Sequence, residues 1–185
     1  MVAVGGSTFF AAALTIPNRN APRAALLTSA ADFANLLTTL NDPNCRTADA
    51  KHLREAIKAV TPASTANLWL PDDNLHVSPR RGEKVFDGIK DAVEELVAAK
   101  FARNSRLADA TLDNLIASLL ASASEIAQAV IDDATQAHGD ARKLAAALAA
   151  FADADADALE TRRNSQTEAI NDFREAWKKA LDSVK

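Results

Sequence analysis

The chain has 185 residues, a formal net charge of −4, 48 % hydrophobic residues, 5 Gly, 6 Pro, 1 Cys and no Tyr. That length suits one domain. With 42 alanines and so few turn residues, the composition excludes all-β, collagenous, disulfide-scaffold and multi-pass membrane classes, since Ala is the strongest helix former. The mild acidity also lacks the Lys and Arg excess of a nucleic-acid binder. The expected class is all-α, a helical bundle with no nucleic-acid partner.

Residues 1–20 read as an N-terminal tail or degenerate secretory signal with a linker, ahead of a single helical-bundle domain over residues 21–185. Val2–Ile16 (VAVGGSTFFAAALTI) is apolar, but no basic stretch precedes it and it is short of the roughly 20 residues of a spanning helix. A tail, a signal and a processed start stay open, and no other stretch reads as a transmembrane span. Leu26, Ala30, Phe33, Leu37 and Leu40 then form a helical stripe that stops at Asn41–Asn44 (NDPN). Thr47 suits the N-cap of a second helix carrying Leu53, Ala56, Ile57 and Val60, ended by Thr61-Pro62. Residues 61–82 form a long irregular stretch, and the apolar knot Leu68-Trp69-Leu70 predicts that it is packed rather than floppy.

Ser78-Pro79 reads as N-cap and first turn of a third helix with the face Phe86, Ile89, Val93, Leu96 and Val97, fading near Arg103-Asn104. Ser105 caps a fourth helix bearing Leu112, Leu115, Leu119, Ile126, Val130 and Ala134. It closes at His138-Gly139, with Gly139 expected in the left-handed conformation. Asp140 caps a fifth segment free of Pro and Gly to the end of the chain, about 68 Å long if it is continuous. Its stripe has two halves, Leu144, Leu148, Phe151 and Leu159, then Ile170, Phe173, Trp177, Leu181 and Val184. The polar run Thr161–Glu168 (TRRNSQTE) lies between them, which predicts a kink, a hinge or an overhang. The pattern gives about five helices, the last long and kinked if the polar run bends it.

Chemistry is sparse. His52, His76 and His138 stand on separate segments, and none has a partner at the H-E-x-x-H or Glu-x-x-His spacing of a metal helix. Asp153, Asp155 and Asp157 open like a calcium loop, but Ala158 and Asn164 occupy the positions that need Gly and Glu. Phosphate-binding glycine loops and the G-x-S-x-G elbow are missing. Cys45 follows a turn with no His near it in sequence. The expectation is a non-enzyme with no cofactor and no metal.

An alanine-rich interior buries little per residue, so such bundles are often completed by a ligand, a second copy or a partner helix. Large residues among alanines can leave pockets. Phe86, Ile89, Val93, Leu96, Leu115, Leu119, Ile126, Val130 and Phe151 are the candidates to line one, and Ile170, Phe173, Trp177 and Leu181 are the candidates for an interface.

The stretch Ile89–Phe101 (IKDAVEELVAAKF), followed by Leu120–Ala134 (LASASEIAQAVIDDA), resembles the middle of the fungal hydrophobic surface-binding protein A family, which includes cell-wall mannoproteins. The resemblance covers about 45 residues and rests on the "LVA-K…F" ending before a helix with "L-A-S". It implies about five helices, secretion to the cell wall rather than a cytoplasmic place, and lipid binding through fatty-acyl chains or hydrophobic surfaces; it carries no catalytic residues. The expected function is thus non-enzymatic binding of an apolar ligand or hydrophobic surface of the fatty-acyl type. The alternative is an assembly protein that pairs through its C-terminal helix with itself, as a homodimer, or with a partner helix.

Overall fold

The computed structural model describes residues 22–40, 48–103, 105–160, 162 and 164–185. The described residues are 79 % helical. Among them six α-helices follow in order: α1 Pro22–Leu40, α2 Ala48–Ala63, α3 Glu83–Lys100, α4 Asp109–Gln136, α5 Ala141–Leu159 and α6 Ser165–Ser183. Among the described residues the sole extended pairing is the antiparallel bridge between Trp69 and Val77. The readings of residues 2–16, the Asn41–Asn44 turn, Cys45, the Thr47 cap and Asn104 lie outside the described residues.

The longest helix is the hub. α4 packs on α1, α3, α5 and α6, while α2 pairs with α1 and α3. A helix that meets neighbours on most sides needs apolar residues on most sides. α4 supplies them: Leu112, Ile116, Leu119, Ala123, Ile126, Val130 and Ile131 are all buried. α4 also has the length and apolarity to cross a bilayer, contrary to the expectation that no stretch beyond the N-terminus would, and more than half of its apolar window is covered by the other helices.

Three helix boundaries differ from expectation. Ser78–Gly82 forms a single turn, with the Arg81 and Gly82 N–H groups both donating to the Ser78 carbonyl, and α3 proper begins at Glu83. Gly82 is fixed by packing: a Cβ there would stand 2.5 Å from Val77 and 2.7 Å from the Trp177 ring. α4 is capped by Ala108 rather than Ser105, and Ser105 donates instead to the Leu107 carbonyl. α2 runs through Pro62 to Ala63; a proline in the last turn lacks only an N–H at a helix about to end. At Gly82 tertiary packing moved the boundary, while at Ser105 and Pro62 the shift is local.

The irregular stretch is packed, as the apolar knot suggested. Leu68 and Trp69 are buried, and the Trp69 indole donates to the Ala63 carbonyl at 2.9 Å. Leu70 to Asp73 make a turn closed by Asp73 N–H on the Leu70 carbonyl, with Pro71 second and Asp72 at φ 57° third, the pattern of a type II turn. The start of α1 is tied to this loop: Arg23 donates from its backbone to the Asn74 carbonyl and from its guanidinium to the Ser64 carbonyl.

The C-terminal segment is a helical hairpin. Asp140 caps α5, its carboxylate accepting the Lys143 N–H. The chain reverses between Leu159 and Ser165, so the polar run between the stripe halves marks a full turn and the opening of α6. At the hairpin's far end the Asp140 N–H donates to the Ser183 carbonyl at 2.8 Å, and Lys143 Nζ to the Asp182 carbonyl. These contacts fix the two helices as antiparallel.

Candidate functional site

The hairpin seam is built from small side chains. α5 buries only Ala147, Ala150 and Ala154, and α6 offers Ala169, Ala176, Ala180, Ser165 and Ser183 among its buried residues. Small residues on both sides let two helix backbones approach closely. Of the expected inward stripe, Leu144 and Phe151 pack against the core, whereas Leu148 and Leu159 turn outward. Leu148 is 52 % exposed and Leu159 75 %, while Leu144 and Phe151 are half-buried at the flank. Alanine took the seam, and the larger residues were pushed aside or outward.

The result is a helix that is apolar on two opposite faces. At 100° per residue, Ala141, Ala145, Leu148, Ala152 and Leu159 fall within a narrow arc opposite Ala147, Ala150 and Ala154. All five are exposed. Near them, only Asp155 among the exposed residues of this arc carries a charge. Charges lie toward the helix ends and flanks: Arg142 and Lys143 in the first turn, then Asp153 and Asp157 in the last two. This apolar face is the candidate functional site.

Acidic groups crowd the flank beside α6. Burial, and then the charges of Asp157, Asp153 and Glu168, hold the Asp172 carboxyl above its ordinary value, with Lys179 opposing. No group of three or more metal-ligating side chains occurs among the described residues.

The candidate residues from the sequence come together, but as packing. Phe86, Ile89, Val93 and Leu96 on α3, Leu119, Ile126 and Val130 on α4 are buried, and Leu115 and Phe151 pack against the same continuous cluster. Phe151 meets Phe173 edge-on at 5.2 Å between ring centroids. Of the interface candidates, Ile170, Phe173 and Trp177 are each 1 % exposed and Leu181 is half-buried. The stripe of α6 is thus turned into the chain's own core, with Trp177 against Phe86 at 5.7 Å.

An open cleft of about 390 Å³ lies between α3 and the start of α6, lined by Lys90, Glu94, Val97, Ala98, Asn164, Thr167, Glu168 and Asn171. None of the nine apolar candidates lines it. The histidines act as ties between elements. His52 Nδ1 meets Glu95 at 2.7 Å, joining α2 to α3. His76 stands between Asp73 at 2.6 Å and Asp133 at 3.2 Å, fastening the loop to α4. The backbone N–H groups of Leu75 and His76, together with the His76 ring, outweigh burial and hold the Asp73 carboxyl below its ordinary value.

The sequence reading missed the outward face of α5 because it assigned the large residues inward. The available signal was the run Leu144–Ala152 (LAAALAAFA), which is apolar on every side and marks a helix covered on more than one side. No protein-family model matches the chain, and neither does any curated protein or solved structure.

Proposed function

We propose that this is a non-enzymatic helical-bundle protein that recognises an apolar surface through the outward face of α5. The observation that carries the reading is the second apolar face of α5, with Leu148 and Leu159 exposed on it. A contiguous apolar strip on a soluble domain usually marks an interaction site. Support favours the surface over an interior fatty-acyl site, because the interior candidates already pack on one another in one cluster. The alternative of pairing through the stripe of α6 draws no support from its burial. Binding of hydrophobic surfaces is also what the resemblance to the fungal surface-binding family implies.

The test compares the wild-type chain with Leu148→Glu/Leu159→Glu for retention on octyl-agarose and for displacement of a fluorescent fatty acid. The variant should keep the wild-type helical signal and lose retention. Saturable one-to-one fatty-acid binding that survives in the variant would place the site in the interior and refute the surface reading.

A further inference from the structure

We infer that the occupant of this face is a second copy of the chain, with the two α5 helices packed antiparallel about a twofold axis. The inference rests on the reading above and adds the partner. It follows from how charge is arranged around the apolar strip. α5 carries Arg142 and Lys143 at its N-terminal end and Asp153, Asp155 and Asp157 toward its C-terminal end. Apart from the Asp140 cap, this polarity opposes the helix macrodipole, which favours acids at the start and bases at the end. A helix that ends with its charges reversed gains when an antiparallel copy brings the opposite end beside it.

The positions agree with this arrangement. Arg142 is exposed and has no carboxylate partner among the described residues. Glu160, held locally by the exposed Arg162, stands 18 residues after Arg142, five whole turns, so both edge the same side of the strip. A twofold axis perpendicular to the helices brings like edges together. With the axis crossing near residue 151, Arg142 of each copy comes opposite Glu160 of the other, and Ala145 and Leu148 meet the end of the partner strip that carries Ala152 and Leu159. The central alanines allow a close approach.

A helix of 19 residues is about 28 Å long, and one such face falls short of the roughly 800 Å² per partner of a standard interface. Association of so small a contact is reversible and concentration-dependent.

Sedimentation velocity across a concentration series tests the arrangement. The wild type should shift from monomer to dimer, and Leu148→Glu and Arg142→Glu should each weaken the dimer at least tenfold while keeping the wild-type circular dichroism. Glu160→Lys should weaken it likewise. Mixing that variant with Arg142→Glu should restore dimer, because both copies of the contact regain opposite charges. A wild type that stays monomeric at several hundred micromolar overturns the inference, as does a dimer indifferent to Leu148→Glu or a charge-swapped mixture that does not recover. A monomeric wild type that still loses octyl-agarose retention on Leu148→Glu would leave the surface-recognition reading standing and remove self-pairing alone.

Discussion

Trp177→Ala is the sharpest probe of how the C-terminal hairpin is held. Trp177 is 1 % exposed, seated under the Gly82 backbone and tilted against Phe86. A buried Trp removes about 200 Å² from water. Truncation to Ala gives up about 150 Å² of that, or about 4 kcal/mol at 25 cal/mol per Å². Losing the ring contact adds about 1 kcal/mol. Against this, the Trp177 indole N–H is buried without an acceptor, and removing an orphan donor recovers about 2 kcal/mol. The expected loss is about 3 kcal/mol, at the low end for aromatic truncation in a core. Trp177→Phe keeps much of the packing and also removes the orphan, so it should cost about 1 kcal/mol or less. Urea unfolding read by circular dichroism gives both values, and in these variants the buried Trp69 is the one remaining tryptophan and reports independently by fluorescence. A loss under about 1 kcal/mol for Trp177→Ala would refute the account of the core. A loss well above about 1 kcal/mol for Trp177→Phe would refute the orphan donor, and equal losses for the Ala and Phe variants would refute the packing contribution.

Three further substitutions address the turn from α4 to α5 and the acidic flank. His138 holds φ 54°, so His138→Gly should raise stability by about 0.5–1 kcal/mol. A Cβ on Gly139 would lie 2.6 Å from Ser183 Oγ, so Gly139→Ala should lower it by about 1–3 kcal/mol; thermal melts of both variants decide. Asp172 has a raised carboxyl pKa in the fold, so its charge opposes folding at neutral pH, and wild-type stability gains from this group as pH falls through that raised value. Asp172→Asn should therefore be more stable than wild type near pH 7, by less than about 1 kcal/mol at this partly exposed site. The advantage should vanish in urea titrations below the ordinary carboxylate range, and a difference that grows on acidification would reverse the assignment.

Much of the architecture could be read from the residues. The stripes of α1, α3 and α4 supply the buried positions Leu26, Phe33, Phe86, Ile89, Val93, Leu96, Leu112, Leu119 and Ile126, because large side chains at helical period have one sensible place to go. The Asp140 cap holds for a local reason, since the cap and the N–H it accepts are three residues apart. Three features were hidden. The helix end at His138 follows the Schellman pattern, with the Gly139 N–H on the Ala134 carbonyl and the His138 N–H on the Thr135 carbonyl. That places His138, not Gly139, in the left-handed position, and glycine is needed one residue later for its closeness to Ser183. The reversal after Leu159 contains neither Pro nor Gly, so its polar run could not announce a turn. The seam of α5 was hidden because hydrophobic ranking favours Leu over Ala, whereas a close helix pair favours the smaller side chain.

The placement of α1 sets an order of opening for the whole chain. α2 with α3, and α5 with α6, are neighbours both in sequence and in space, so each pair closes over short chain separations and can form early. α1 rests on its sequence neighbour α2 and also on the distant α4. It sends only Pro22, Leu26, Ser29 and Phe33 fully inward, with Ser29 meeting Ser118 across that junction. Its amides should be the first helical ones to exchange with deuterium, by lifting away as a unit while the α5–α6 pair stays closed. During each such excursion the side of α4 near Ser118 faces water, and the central helix of the bundle is reached from that side without global unfolding.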